Sequence, residues 1–181
     1  MSSRVLRVSE SEITRRVSEI AEKISLDYRG RELVVVGVLK GAFIFLADLV
    51  RKLTIPVVLD FIQVASYGAS MTSSGTISLK LPISMDVKGK HVLLVEDIVD
   101  TGGTIRFLLD HILSLGASSV AVCAMIDKPE RRKVEVPVHY VCLRVPEGFL
   151  VGYGLDHAER YRELPGIYEL ITDASGENHP E

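Results

Sequence analysis

Apolar residues recur along the chain with two different periods. Between residues 13 and 24, four apolar side chains lie at helical spacing behind a capping box at Ser9–Glu12, which predicts a first helix. The run "ELVVVGVLKG", residues 32–41, is continuous and rich in valine, which is typical of a strand buried in a parallel sheet. Residues 42–53, "AFIFLADLVRKL", then predict a second helix.

Predicted strands continue to alternate with predicted helices and loops to about residue 145. Ile105 to Leu113 carry one apolar helix face, and Gly116 is expected to end that helix. Residues 66–75, "SYGASMTSSG", are small and polar without apolar periodicity, so a mobile loop is expected there. Further strands are predicted at residues 55–67, 76–83, 92–95, 118–126 and 138–145.

Strands that alternate with helices predict an α/β fold with a mostly parallel central sheet flanked by helices. Such sheets bind ligands beyond the carboxyl ends of their strands. Lys40–Gly41, the Glu96–Thr104 loop and Asp127–Lys128 each follow a predicted strand. We therefore expect these three segments to meet at one edge of the sheet.

Composition narrows the class of protein. A chain of 181 residues with a net charge of −3 fits one globular domain, and it has no long basic run that would favour nucleic-acid binding. Two cysteines, Cys123 and Cys142, indicate a reducing compartment, or simply buried neighbours in one sheet, rather than a disulfide scaffold. The sequence shows neither a signal-peptide core nor an apolar run of membrane-spanning length. These features predict a soluble, cytoplasmic protein with no nucleic-acid or membrane partner.

The stretch "VLLVEDIVDTGGTI", Val92–Ile105, joins acidic residues to a turn that can bind phosphate. Residues 101–104 precede a helix, so their backbone N–H groups can hold a phosphate. Glu96 and Asp97 lie upstream, where carboxylates can accept hydrogen bonds from a sugar diol or hold Mg²⁺. Asp100 lies between these two ends and can reach a base attached to the sugar. The nucleoside-triphosphate motif G-x-x-x-x-G-K-[ST] is absent from the sequence.

Here the sequence resembles a known family. "VLLVEDIVDTGGT" is similar to the thirteen-residue signature of the type I phosphoribosyltransferases, which bind 5-phosphoribosyl 1-pyrophosphate (PRPP). The segments "GVLKGAFIFLADLVR", "VASYG", "MIDKP" and "PEGFLVGYGLDHAERYRELPGI" resemble the hypoxanthine-guanine phosphoribosyltransferases, in the same order.

The resemblance implies a fold and a function. It implies a type I phosphoribosyltransferase-like fold with a single domain over residues 1–181, a small hood built mainly from about 127–181 and a flexible loop at about 66–78. The implied function is purine salvage, in which a 6-oxopurine base accepts the phosphoribosyl group of PRPP and pyrophosphate is released. Mg²⁺ dependence and assembly into a homo-oligomer, dimer or tetramer, are implied too.

The resemblance also assigns roles on the sugar side of PRPP. Asp100 matches the proton acceptor or hydrogen-bond partner of purine N7, and Glu96 and Asp97 match the pair that binds the ribose hydroxyls and Mg²⁺. Gly103 stands where some members have lysine, so its contribution has to come from the backbone. The implied 5-phosphate loop consists of Thr101, Gly102, Gly103 and Thr104.

Further roles concern pyrophosphate and the base. Lys40 and Gly41 match a pyrophosphate-contacting loop that often contains a cis peptide. Arg162 matches a pyrophosphate contact, Asp156 a Mg²⁺ ligand on that side, and Ser66–Tyr67 the start of the flexible loop. The residues matched to the purine are Lys128, which donates to the 6-oxo group, Phe149, which stacks on the base, and Leu150, whose backbone meets the purine edge.

Simpler interpretations exist for several of these residues. Lys128 precedes Pro129 and would also suit a turn, Phe149 would suit a core position, and Asp156 with Arg162 would suit a surface ion pair. The alternative function is a PRPP-sensing regulatory or RNA-binding protein on the same fold. A phosphoacceptor receiver domain would need more strand–helix units than the chain offers. The choice among hypoxanthine, guanine and xanthine stays open at this stage.

Overall fold

Two β-sheets and three α-helices make up the part of the chain that the computed structural model describes, residues 3–67, 76–146 and 148–171. The helices are α1 (Glu10–Asp27), α2 (Phe43–Val50) and α3 (Gly103–Ser114). The strands are β1 (Ser3–Val8), β2 (Leu33–Leu39), β3 (Val57–Tyr67), β4 (Thr76–Leu81), β5 (His91–Val99), β6 (Ser119–Asp127), β7 (Tyr140–Arg144), β8 (Leu150–Val151) and β9 (Ile167–Ile171).

The central sheet has six strands in the order β4-β3-β2-β5-β6-β7. Every pair in it is parallel except β3 with the edge strand β4. On β2, Leu33 and Val35 pack on the side of α1 and α2, whereas Val34 and Val36 pack on the side of α3. The continuous valine-rich run is therefore buried on both faces, and the predicted α/β fold with a mostly parallel sheet is confirmed.

The carboxyl ends of the parallel strands lie at one edge of this sheet. Pairing of β5 with β6 continues to Val99 opposite Asp127, and the amide of Lys128 donates to the carbonyl of Val99 at 3.0 Å. The prediction that the loops after β2, β5 and β6 share an edge is confirmed. The predicted end of β5 at residue 95 was wrong: the strand extends to Val99, because β6 supplies hydrogen-bonding partners for four residues more.

A second sheet of three antiparallel strands has the order β1-β9-β8. The expected hood range of about 127–181 differs from the structure in two respects. Strand β7 lies in that range but belongs to the central sheet, and β1 comes from the other end of the chain. The hydrophobic pattern gave no sign of β1, because its residues 3–8 are almost all exposed and it forms by pairing along β9.

Helix ends follow local rules. The Ser9 hydroxyl accepts the N–H of Glu12 at 3.3 Å, which confirms half of the predicted capping box. The Glu12 carboxylate accepts instead from Arg15 and Arg16, so the reciprocal bond is not made. Gly116 follows α3 with φ of +87° and ends it as predicted.

The buried interior explains the cysteines. Cys123 and Cys142 are free thiols on the adjacent strands β6 and β7, and both are buried.

Within the described ranges, no helix combines the length and the apolar character that a bilayer crossing requires. Most of the expected flexible loop, residues 68–75, lies outside the described residues, and Ser66–Tyr67 form the last residues of β3.

Candidate active site

The turn between β5 and α3 has the backbone of an anion-binding loop. Gly102 is the residue before the helix, with φ of +89°, and the helix proper starts at Gly103. No side chain caps this helix end among the described residues, so the first N–H groups of α3 are left for a ligand. These groups, together with the positive end of the helix, can hold a phosphate.

A neighbouring segment braces this loop from outside. The amides of Lys133 and Val134 both donate to the carbonyl of Thr101, at 2.9 and 3.0 Å. A Cβ on Gly102 would overlap the carbonyl oxygen of Val134, whereas a Cβ on Gly103 would meet nothing within 4 Å. The brace thus requires glycine at the first position and leaves space for a side chain at the second.

An ion pair anchors the bracing segment. Arg132 donates from Nη2 to Asp127, both side chains are nearly buried, and the Arg132 stem lies against Gly102. Sequence reasoning did not single out residues 132–134, because "RKV" has no periodicity and no motif that marks a contact with a loop thirty residues earlier.

Glu96, which is buried, and Asp97, which is half-buried, form an acidic pair within β5. The amide of Asp97 donates to Glu96 Oε1 at 3.1 Å, and the amide of Ile98 donates to Asp97 Oδ1 at 2.7 Å. Burial, followed by the charge of Asp97, raises the pKa of Glu96 well above its usual value. Burial raises the pKa of Asp97 as well, against the hydrogen bond with Glu96 and the charge of Arg162. The ligand-free pair therefore favours holding a proton, and a cation or hydroxyl donors would favour its release.

Gly41 lies in close contact on both sides. A Cβ on Gly41 would overlap the Asp97 carboxylate, and a Cβ on Gly154 would overlap the Gly41 carbonyl. The peptide bond between Leu39 and Lys40 is cis. Any side chain at position 41 would displace Asp97, so the β2–α2 loop and the acidic pair depend on each other.

A cavity of about 270 Å³ joins these groups. This volume is close to the lower end of ligand pockets, about 300–1,000 Å³. A larger cavity of about 750 Å³ lies behind the bracing segment, next to Arg106 and Asp127, and is lined by none of the residues to which the family resemblance assigns a role. The polar residues of the smaller cavity are Glu96, Asp97, Asp100, Thr101 and Thr104, with Gly41 and Gly102 beside them.

Asp100 and Lys128 follow the adjacent strands β5 and β6. Arg131 donates from Nε to Asp100 Oδ1 at 2.7 Å, and Lys128 Nζ donates to the carbonyl of Gly148 at 2.8 Å. Burial lowers the pKa of Lys128, while the charge of Asp100 opposes this. Lys128 does begin a turn, as the simpler interpretation has it, but its side chain is buried.

Phe149 is not a core residue. Its side chain is 53% exposed, and its ring meets His157 edge to face at a centroid distance of 5.1 Å. The interpretation of Phe149 as a core aromatic was therefore wrong, and the next residue, Leu150, is the buried one. An exposed aromatic face beside Lys128 can stack on a planar ligand.

Arg162 connects the C-terminal segment to the sheet edge. Its guanidinium donates to the carbonyl of Gly154 at 2.7 Å and lies 2.9 Å from Asp156 Oδ1. It also lies 3.2 Å from the Glu159 carboxylate, which in turn lies 3.2 Å from Lys40 Nζ. The Arg162 side chain is only 18% exposed, so the ion pair with Asp156 is more than a solvated surface contact.

The carboxylates do not form a closed metal cage. Within the described ranges, no three His, Cys, Asp or Glu side chains come close enough together to hold an ion by themselves. Glu96 with Asp97 and, separately, Asp156 offer hard oxygen ligands of the kind that Mg²⁺ prefers when substrate oxygens and water complete its shell.

Comparison with known proteins identifies the family. The phosphoribosyl transferase domain matches residues 9–158. The chain belongs to this family. A hypoxanthine-guanine phosphoribosyltransferase of Aquifex aeolicus is 49% identical over 93% of this chain and 94% of that protein. A hypoxanthine phosphoribosyltransferase of Haemophilus influenzae is 40% identical over 92% of this chain and 94% of that protein.

Solved structures agree with the fold. A hypoxanthine-guanine phosphoribosyltransferase from Bacillus anthracis, with a HEPES molecule in its active site, has a TM-score of 0.89 at 42% identity and covers 92% of this chain and 98% of that one. The expected type I phosphoribosyltransferase fold is thereby confirmed. These relatives cover 92–93% of the chain, and the phosphate loop, the acidic pair and Lys128 lie within the residues 9–158 that the family matches.

The two glycines of this phosphoribosyltransferase loop are expected to differ. Gly102→Ala would place a side chain at a positive φ, which costs about 1–2 kcal/mol, and against Val134. We expect its affinity for ribose 5-phosphate to fall about tenfold or more, since about 1.4 kcal/mol corresponds to tenfold. Gly103→Ala is the matched control and should bind as the wild type does. Isothermal titration measures both, and equal affinities of the two variants would contradict the brace.

The ionised Glu96 carboxylate is expected to lower the free energy of unfolding of the ligand-free protein. Its folded-state pKa is raised, so stability is lost as the pH rises through that pKa and the carboxylate ionises. Glu96→Gln should therefore stabilise the ligand-free protein at pH 8 by about 1–3 kcal/mol, the usual cost of an unsatisfied buried group. The difference should vanish near pH 4. Urea unfolding at both pH values measures it, with the exposed Glu130→Gln as a control. A Glu96→Gln protein less stable than the wild type at pH 8 would be inconsistent with this account.

Proposed function

We propose that this protein transfers the 5-phosphoribosyl group from PRPP to hypoxanthine, guanine or both, giving IMP or GMP and pyrophosphate. The observation that carries the proposal is the meeting, at one sheet edge, of a phosphate loop, an acidic pair and a buried lysine beside an exposed aromatic ring. Relatives of 40–49% identity are named hypoxanthine or hypoxanthine-guanine phosphoribosyltransferases, which supports the same activity.

PRPP would lie along the edge of the sheet. The backbone N–H groups of Thr101–Thr104 hold the 5-phosphate, and Glu96 and Asp97 accept hydrogen bonds from the ribose hydroxyls. Lys40 and Arg162 bind the pyrophosphate. Both cations lie at the sheet edge, next to carboxylates of the C-terminal segment. Ser66–Tyr67 lead into the loop that closes over the reaction.

The acidic residues fit Mg²⁺. Glu96 and Asp97 are adjacent carboxylates at the sheet edge, and Asp156 lies beside Arg162, the cation assigned to pyrophosphate. When bound, Mg²⁺ supplies positive charge that stabilises the leaving pyrophosphate. Lys40 and Arg162 add to this neutralisation with charges that the chain itself provides.

Bond exchange at C1 of the ribose completes the reaction. The bond from C1 to the pyrophosphate oxygen breaks with its electron pair on pyrophosphate, and purine N9 forms the new bond to C1. The proton on N7 passes to Asp100, which is hydrogen-bonded to Arg131 in the ligand-free protein and exchanges this partner for the base. C1 becomes cation-like as the bond breaks, so water has to be excluded by closure.

Three residues, Lys128, Phe149 and Leu150, recognise the base. Lys128 has only donors on its head group and exchanges the Gly148 carbonyl for the purine 6-oxo group. Phe149 stacks on the ring, and the backbone of Leu150 meets the purine edge. Adenine presents an amine where Lys128 needs an acceptor, and leaving such buried groups unpaired gives steep discrimination.

The alternative is a PRPP-sensing regulatory or RNA-binding protein on the same fold. Its nucleic-acid function would require a basic face, which the net charge of −3 does not favour. The base-recognition residues favour the enzyme, because a sensor of PRPP alone needs neither Lys128 nor Phe149. Two free buried thiols support a cytoplasmic location. A single domain over residues 1–181 and a dimer or tetramer stay predictions.

Base choice provides the central test. With PRPP and Mg²⁺, we expect product from hypoxanthine or guanine and little from adenine, assayed with xanthine as the fourth base. Lys128→Ala should lose about 1.5–3 kcal/mol of purine affinity, as for a hydrogen bond to a charged group, while PRPP affinity is kept. Lys133→Ala is the control, since only the backbone of Lys133 contacts the phosphate loop. Adenine turnover equal to that of hypoxanthine, or a Lys128→Ala defect confined to PRPP, would contradict the assignment.

Asp100 is expected to act on turnover rather than on binding. Asp100→Asn keeps the shape and an acceptor but removes the base, so kcat should fall by about 10² to 10⁴. PRPP affinity should change little, because the phosphate amides and the acidic pair are untouched. Single-turnover kinetics separate the two quantities, and near-normal turnover would remove Asp100 from the mechanism.

A further inference from the structure

One carboxylate oxygen connects the two cations assigned to pyrophosphate. Glu159 Oε2 lies 3.2 Å from Lys40 Nζ and 3.2 Å from Arg162 Nη2. Lys40 follows β2, whereas Arg162 belongs to the segment before β9, so this oxygen connects parts of the chain that are 119 positions or more apart. Sequence reasoning assigned no role to Glu159.

The backbone holds Glu159 in this place. Ala158, Glu159 and Tyr161 have φ of +50°, +62° and +78°, in the left-handed region that residues other than glycine rarely adopt. The amide of Glu159 donates to Asp156 Oδ2 at 2.9 Å, and His157 and Arg160 exchange two backbone hydrogen bonds of 3.1 Å. A turn with three such residues persists only where its surroundings impose it. In this turn the Glu159 carboxylate lies against Lys40 and Arg162.

We propose that Glu159 takes the place of a pyrophosphate oxygen in the ligand-free protein and sets the affinity for pyrophosphate. This inference rests on the proposed function, in which Lys40 and Arg162 bind the pyrophosphate of PRPP. An anionic oxygen between a lysine and an arginine reproduces the contacts that a phosphate oxygen makes with the same pair. Glu159 thereby keeps the cations together before substrate arrives and competes with pyrophosphate for them afterwards.

The ion pairs of Glu159 with Lys40 and Arg162 are weak enough for pyrophosphate to displace the Glu159 carboxylate. The Glu159 side chain is 65% exposed, and ion pairs at such positions contribute little because water screens them. The hydrogen bond from Lys40, followed by that from Arg162, lowers the pKa of Glu159, so its carboxylate is charged at neutral pH. A pyrophosphate with several negative oxygens outcompetes one carboxylate, and the same carboxylate favours release of the product.

Pyrophosphate binding tests the proposal directly. Isothermal titration of pyrophosphate with Mg²⁺ should show about two- to fivefold tighter binding by Glu159→Gln than by wild type, within the range expected for one exposed ion pair. The KM for PRPP should fall in the same ratio, while the KM for the purine stays the same. Glu163→Gln removes a nearby exposed acid that contacts neither cation and should leave both values unchanged. Unchanged or weaker pyrophosphate binding by Glu159→Gln would overturn the proposal.

A double-mutant cycle separates this inference from the proposed function. Lys40→Met should weaken pyrophosphate binding and should reduce the gain from Glu159→Gln, because Glu159 then competes only for Arg162. If Lys40→Met and Arg162→Met bind pyrophosphate as the wild type does, the pyrophosphate assignment itself is wrong. If they weaken it but Glu159→Gln brings no gain, only the role of Glu159 fails. Thermal unfolding of each variant shows that the comparison is made between folded proteins.

Discussion

Parallel hydrogen bonding among β2, β5 and β6 determines where all the chemically active groups lie. These strands are buried on both faces, so a shift of one residue in any of them would turn its apolar side chains out of register with both cores. Their common direction places the residues after Leu39, Val95 and Asp127 at one edge. The acids, the phosphate loop and the base-binding lysine come from distant parts of the sequence and are adjacent for this reason alone.

Local patterns in the sequence were sufficient for the central sheet and for the loop that joins the acidic residues to the phosphate turn, whereas the other site residues were assigned only through the family resemblance. Continuous apolar runs identified β2 and β6, and the glycines after Asp100 identified the start of α3. The length of β5 was not predictable, because Glu96 and Asp97 interrupt the apolar run and only the pairing with β6 shows that the strand continues.

Three further features depended on contacts between distant residues. Strand β1 has no buried face of its own and forms by pairing with β9. The brace on the phosphate loop consists of backbone hydrogen bonds from Lys133 and Val134, which leave no side-chain pattern. The link from Glu159 to Lys40 requires a turn of unusual backbone geometry. None of these is encoded within a window of a dozen residues, so periodicity and motifs could not reveal them.

In the ligand-free protein the charged groups of the site already have partners, with one exception. Arg131 donates a hydrogen bond to Asp100, and Lys128 donates to the Gly148 carbonyl. Lys40 and Arg162 both donate to Glu159. Substrate binding on this scheme exchanges one hydrogen-bond partner for another, which keeps the cost of reorganising the site small. The acidic pair in β5 is the exception, because burial of both carboxyls, together with the charge of Asp97 beside Glu96, opposes its full ionisation until donors or a cation arrive.

Pairing of β1 with β9 brings the two ends of the described chain side by side, Ser3 opposite Ile171. During synthesis, β1 precedes every other described element and has to wait for β9, the last described strand. The six strands of the central sheet can be in place by then, since all of them precede residue 145. The segment from Gly148 to Arg162, which carries an exposed aromatic ring and three of the charged groups at the sheet edge, can be fixed in place only once β9 has been made. A nascent chain therefore presents a formed phosphate loop well before it has a complete binding site.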